Sequence, residues 1–255
     1  MELAYDQAGT GPAVVLIHGH PFNRSMWAPQ LTALADRYQV IAPDLRGYGD
    51  SPVTPGTVPM GQLAADVARL LDGLGVARAA PVGLSMGGLV AMELAISDPG
   101  RWWALGLMAT TAEPVTEAER AGRLARAGQA EREGIRALAD DMATHLFGPE
   151  VDRAVSQQVM TMMLATDPRG AAAALRGRAE RPDYRPLLRN LDLPVFVGTG
   201  DQDVYSTAEV TDHLTACLRH PTRVTFPGIG HLPNLEAPAR FNASLRAFLD
   251  HHRPA

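Results

Sequence analysis

The sequence predicts an α/β fold: a mostly parallel, doubly wound sheet interrupted by a helical insertion. Three observations predict it. Short apolar runs alternate with helical patterns through the first hundred residues. The strand signal then disappears from about 113 to 190, and the alternation returns after 191. The chain has 255 residues, 46% hydrophobic and 20% charged. That composition suits one generous globular domain that needs no disulfide or metal staple. The expected division is a core of residues 1–112 and 191–255 around a helical segment, 113–190.

Taken in order, Ala13-Val14-Val15-Leu16-Ile17 is a continuous apolar run, as a strand buried on both faces requires. Tyr38-Gln39-Val40-Ile41-Ala42 reads as a second strand. Ala79-Ala80-Pro81-Val82-Gly83 reads as a third, weakened by its proline, and Leu105-Gly106-Leu107-Met108 as a fourth. Helical patterns near 25–36, 61–74 and 86–97 separate them. The middle one gathers Leu63, Val67, Leu70, Leu71 and Leu74 on one face. Segment 113–190 is helical by propensity and punctuated by Gly148-Pro149, Asp167-Pro168 and Arg181-Pro182. At roughly 75 residues it is too long for a plain loop. Strands at 195–197 and 223–226 and helices near 207–218 and 239–250 complete the pattern.

Two absences remove much of enzymology. Cys217 is the single cysteine, which excludes an intramolecular disulfide and cysteine-rich metal clusters. All 23 basic residues are arginine, so no P-loop lysine, Schiff-base lysine or Ser–Lys dyad exists. A formal charge of −5 argues against a general nucleic-acid partner. The acidic start, Met1-Glu2-Leu3-Ala4-Tyr5-Asp6, has no signal-peptide pattern, and no apolar run approaches the ~20 residues of a membrane span. The expectation is a cytoplasmic protein that engages no membrane, with homo-oligomerisation left open.

Gly83-Leu84-Ser85-Met86-Gly87-Gly88 falls between a strand and a helix. A sharp strand–turn–helix with glycines around a serine lifts its hydroxyl above the sheet, at a helix N-terminus that favours negative charge. A serine nucleophile needs a base, and the base needs an orienting acid. His231, in the glycine loop Pro227-Gly228-Ile229-Gly230-His231 after a strand, is the candidate base. Asp201 and Asp203 both follow the strand at 195–197, where a parallel sheet places its site, and the residues alone barely separate them. His18-Gly19-His20 at the exit of the first strand reads either as a turn presenting the His20 N–H to an oxyanion or as two metal ligands. No second ligand cluster supports the metal reading, so no metal is expected.

With these pieces placed, the chain resembles the α/β-hydrolase superfamily over nearly its whole length. The resemblance rests on the serine elbow, the HG turn, Asp44-Leu45-Arg46-Gly47-Tyr48-Gly49-Asp50-Ser51 and the order Ser, Asp, His. It implies the α/β-hydrolase fold, with 113–190 as the helical cap. It also implies a catalytic triad of Ser85, Asp203 and His231, and an oxyanion hole formed by the backbone N–H groups of His20 and Met86. The family register of nine residues from Pro194 selects Asp203, although Thr207 stands where relatives commonly carry proline. Gly19-His20-Pro21-Phe22-Asn23-Arg24-Ser25-Met26-Trp27 and Gly230-His231-Leu232-Pro233-Asn234-Leu235-Glu236 resemble small cofactor-free esterases. They are also similar to 3-oxoadipate enol-lactonases and non-haem haloperoxidases or perhydrolases, which share the triad. The implied activity is cleavage of a small-molecule ester or lactone without a cofactor. A non-hydrolytic ligand-binding or lyase member of the fold is the alternative.

Trp27, Met142, Phe147, Met160 and Met163 are candidate pocket residues, with packing of the helical segment onto the core as the plainer role for the Met and Phe side chains. Arg120, Arg123, Arg126, Arg132 and Arg136 read as a solvated helix face interleaved with glutamates, or as a greeting for an acidic substrate.

Overall fold

A computed structural model describes residues 1–254. Seven strands form one sheet: β1 (Tyr5–Ala8), β2 (Ala13–Ile17), β3 (Gln39–Pro43), β4 (Ala79–Leu84), β5 (Leu105–Met108), β6 (Pro194–Gly200) and β7 (His220–Phe226). Their spatial order is β1-β3-β2-β4-β5-β6-β7. β1 runs antiparallel to β3, and every other neighbouring pair is parallel.

The period of two in the strands decides what each face of the sheet packs against. Val15 and Ile17 join the cluster built by α2 (Met60–Gly73) and α3 (Met86–Ser97). Val14 and Leu16 join the opposite cluster, with α1 (Ala28–Leu34) and α11 (Pro238–His252). Helices therefore cover both faces, and every residue of β2 is buried. The α2 stripe buries Leu63, Val67 and Leu71.

Pro81 sits inside the central strand β4, and the hydrogen-bond pattern explains its tolerance. Odd-numbered residues of β4 bond toward β5: Ala79 donates to the Arg101 carbonyl and accepts from Trp103 N–H, and Ser85 N–H reaches the Met108 carbonyl. Pro81 falls in the gap before pairing resumes at Val82 with Gly106, so its missing N–H costs no paired rung.

Between β5 and β6 the chain forms helices only: α4 (Glu117–Glu133), α5 (Arg136–Ala143), α6 (Arg153–Leu164), α7 (Pro168–Ala179) and α8 (Arg185–Leu188). Their boundaries follow local chemistry. Thr116 and Glu119 make a reciprocal capping box at the start of α4. Asp152 and Asp167 cap α6 and α7, and Pro168 opens α7. Small buried side chains, Ala171 to Ala174, let α7 approach α4 closely, and Gly170 lies against Gly47. The chain ends through α9 (Ala208–Thr215), the single turn α10 (Pro233–Glu236) and α11. Among the described residues, no helix is long and apolar enough to cross a membrane.

β1 lies outside the strands expected from the sequence. Tyr5-Asp6-Gln7-Ala8 has no apolar run because it is an exposed edge strand, held by backbone pairing to β3.

Candidate active site

The C-terminal ends of β2, β4, β6 and β7 carry the chemistry-bearing loops to one rim of the sheet. At the end of β4 the chain turns straight into α3. A side chain at Gly83 would put its Cβ 2.0 Å from the Gly87 carbonyl oxygen, and one at Gly87 would sit 2.1 Å from the Ile17 carbonyl oxygen. Only glycine allows this approach of α3 to β4 and β2. Ser85, at the apex, has φ 55° and ψ −112°. Such a backbone costs a non-glycine residue about 1–3 kcal/mol. Its surroundings hold it there: Ser85 N–H donates to the Met108 carbonyl at 2.8 Å, and the Ser85 carbonyl accepts from Thr110 Oγ1 at 2.8 Å.

His231 follows β7 in a loop pinned at both ends. Its N–H donates to the Leu146 carbonyl at 2.7 Å. Its Nδ1–H donates to Asp203 Oδ2 at 2.8 Å, and both residues are about 4% exposed. An acceptor-only carboxylate on Nδ1 leaves Nε2 with its lone pair. Asp203 Oδ1 accepts the N–H groups of Tyr205 and Ser206 at 2.8 and 3.1 Å. Burial pushes the Asp203 carboxyl upward. Attraction to His231, the bond to it and the two backbone donors outweigh that and hold it below the usual aspartate value. Asp201 is exposed and points elsewhere, accepting Gly228 N–H at 2.7 Å. The structure thus brings Asp203, and not Asp201, to His231.

Ser85 and His231 line one cavity of about 410 Å³ and an adjoining one of about 130 Å³. Ser85 Oγ makes no hydrogen bond to His231 here. Serine–base contacts are often long without substrate and tighten when it binds.

The HG turn approaches from β2. His20 lines the larger cavity, and the N–H groups of His20 and Met86 donate to no protein group among the described residues. The His20 ring is hydrogen-bonded through Nδ1 to Tyr48 Oη at 2.7 Å, and Tyr48 Oη also contacts Met86 Sδ at 3.8 Å. Burial, then the positive charge of Arg178, holds the His20 pKa well below the ordinary histidine value. His18 is committed at both ring nitrogens. Nε2 accepts Leu45 N–H at 2.9 Å, and Nδ1–H donates to the Gly19 carbonyl at 2.8 Å. It clamps the β2 exit to the Asp44–Ser51 loop and has no lone pair to offer a metal.

Of the five pocket candidates, Met142 lines the larger cavity. Trp27 does not: its ring is fully buried beneath α11, 6.3 Å from Phe241. Met163 is also fully buried in the core, while Phe147 and Met160 pack partly buried against it. Arg123 and Arg126 line the cavity, whereas Arg120, Arg132 and Arg136 do not. Sequence reasoning missed Arg178, Tyr205 and Glu236. Arg178 and Tyr205 share the cavity with Ser85, and the Tyr205 ring meets His231 edge-on at 5.1 Å. Glu236 Oε2 accepts Gly148 N–H at 2.7 Å and Gly230 N–H at 3.1 Å, while Oε1 accepts Leu232 N–H at 3.1 Å. Glu236 closes the Gly230-to-Glu236 motif, which carried the resemblance but assigned no role to this carboxylate.

With this geometry in place, residues 14–244 match the model of the alpha/beta hydrolase family. This chain belongs to that family. Among its relatives is a 3-oxoadipate enol-lactonase of Acinetobacter baylyi, 32% identical over 93% of this chain and 88% of the relative. Solved structures agree. A thermophilic esterase from Thermogutta terrifontis, in a malate-bound form, superposes with a TM-score of 0.97 at 36% identity, covering 99% of this chain and 94% of that one. An enol-lactonase from Burkholderia xenovorans gives 0.90 at 30% identity, covering 97% and 96%. The alpha/beta hydrolase fold and its esterase and lactonase relatives support hydrolase activity.

Proposed function

We propose that this alpha/beta hydrolase cleaves a small carboxylic ester or lactone through an acyl-enzyme on Ser85. His231 acts as the base and Asp203 as its orienting acid. One observation carries the reading. Ser85, held at an unusual backbone conformation above the sheet, shares a cavity with an imidazole that Asp203 fixes at 2.8 Å.

The steps follow from those groups. Ser85 Oγ attacks the carbonyl carbon while His231 Nε2 takes its proton, and Asp203 stabilises the imidazolium without accepting that proton. The carbonyl oxygen becomes an oxyanion between the N–H groups of His20 and Met86, each donor worth about 3 kcal/mol of barrier. The carbon–oxygen bond to the leaving group breaks as His231 returns the proton to the departing oxygen. Water then gives a proton to Nε2, attacks the acyl carbon and releases the acid, and Ser85 regains its hydroxyl.

Residues 113–190 act in this reading as a cap over the core, bringing Met142 and Leu138 from α5 and Leu175 from α7 to the cavity wall. The enol-lactonase relatives support a lactone as candidate substrate, and the esterase from Thermogutta terrifontis supports an ester. The test is turnover of a panel of small esters and an enol-lactone by the wild type and by Ser85→Ala. Loss of turnover in the variant supports the assignment, and retained wild-type turnover contradicts it.

A further inference from the structure

Arg178 lies on α7 and lines both cavities that Ser85 and His231 line. It makes no ion pair and donates no hydrogen bond among the described residues, and its buried Nε has no partner. Its neighbours are better supplied. Glu119 pairs with Arg123 at 3.1 Å and with Arg181 at 4.0 Å, and its other oxygen accepts Thr116 N–H at 2.8 Å. Asp141 pairs with Arg126 at 2.8 Å. The local carboxylates are therefore engaged, and Arg178 has none. The buried Nη1 of Arg123 is also without a partner.

A half-buried guanidinium with no counter-ion, beside other guanidinium groups, is costly to maintain. Burial and then the repulsion of Arg123 and Arg181 lower the Arg178 pKa to about 9, which leaves it cationic at neutral pH. Planar guanidinium donors match the two oxygens of a carboxylate. Leu138, Met142 and Leu175 line the same cavity, an apolar path suited to a short methylene chain.

We propose that Arg178, assisted by Arg123 Nη1, is a carboxylate-binding subsite, and that the preferred substrate is a monoanionic ester or lactone whose free carboxylate docks there while its acyl carbonyl meets Ser85. The inference rests on Ser85 as nucleophile. Arg178 is a specificity residue and takes no part in bond making.

Monoethyl glutarate and ethyl pentanoate differ by a carboxylate in place of a terminal methyl, and both are followed by pH-stat titration. The wild type favours the anionic ester in kcat/KM. Arg178→Gln lowers the ratio of the two kcat/KM values by roughly 10- to 100-fold, chiefly through KM. A second measurement needs no variant: glutarate inhibits the wild type competitively, and glutaramide and inorganic phosphate do so far more weakly. Equal ratios in wild type and a folded Arg178→Gln protein, or equal inhibition by glutarate and glutaramide, overturn the subsite. So does equal inhibition by phosphate, which would indicate an unselective anion site. Hydrolysis of both esters without preference removes the subsite and leaves the hydrolase reading standing, whereas full turnover by Ser85→Ala removes that reading itself.

Discussion

Glu236 and Gly148 are joined at 2.7 Å across 88 positions of chain, carboxylate oxygen to backbone N–H. The same oxygen holds Gly230, the residue before His231. One buttress thus ties the β7 loop to the helical segment between β5 and β6, and the imidazole sits at the junction.

Removing that buttress uncovers three backbone donors. Glu236→Ala is expected to cost about 2–4 kcal/mol, since each lost bond to a charged acceptor is worth roughly 1.5–3 kcal/mol and water recovers part of it. The melting temperature then falls by about 5–15 °C. Turnover drops as well, because His231 loses its anchor, and Glu236→Gln, which keeps an acceptor, retains more of both. Calorimetry with steady-state kinetics checks this.

Asp203 and Asp201 are separable by substitution. Asp203→Asn presents an amide that no longer enforces the Nδ1–H tautomer, so kcat falls by roughly 10⁴ with the fold intact. Asp201→Asn removes only part of the exposed cap on Gly228 and lowers kcat by less than about tenfold. Parallel kinetics on the two variants decides between the acids.

That distinction marks a limit of sequence reading. The alternation of strands and helices, the serine elbow and the β7 loop histidine are written in local patterns of apolar and glycine residues, and they were legible. Whether Asp201 or Asp203 turns inward depends on a loop packed by tertiary contacts. Trp27 adjoins the HG turn in sequence, yet a short 3-10 helix, Arg24–Trp27, carries its ring beneath α11. Arg178 carried no visible signal, because only the packing of α7 against α4 brings it to Arg123 and the cavity of Ser85. β1 lacked apolar alternation because its partner is a backbone edge.

Acid destabilises the fold from the histidine range downward. His18 and His20 are buried with pKa values below the ordinary histidine value of 6.5, burial being the main cause in each. The unfolded chain therefore binds protons below that pH that the native state refuses, so stability falls with pH. The slope approaches about 1.4 kcal/mol per pH unit for each histidine. Asp203, lowered from 3.8, adds a second loss as pH drops from that value through its native one. Urea midpoints between pH 7 and 5 are expected to decline, and His20→Gln to flatten the decline.

Asp66, on α2, bonds to no residue that lines the cavities of Ser85 and His231, and it tests the fold. Its fully buried carboxylate accepts Arg46 Nε and Nη2 at 2.6 and 2.8 Å. Asp66→Ala strands the Arg46 charge and costs about 3–5 kcal/mol. Below the melting transition, kcat stays near wild type, as paired denaturation and kinetic measurements would show.

The most direct measurement is intact-mass analysis after reaction with a fluorophosphonate ester, followed by peptide mapping. One adduct per chain at Ser85, absent in Ser85→Ala and formed much more slowly in His231→Ala and Asp203→Asn, is the predicted result. An adduct at another residue, or labelling of Ser85 that proceeds at full rate without His231, would contradict it.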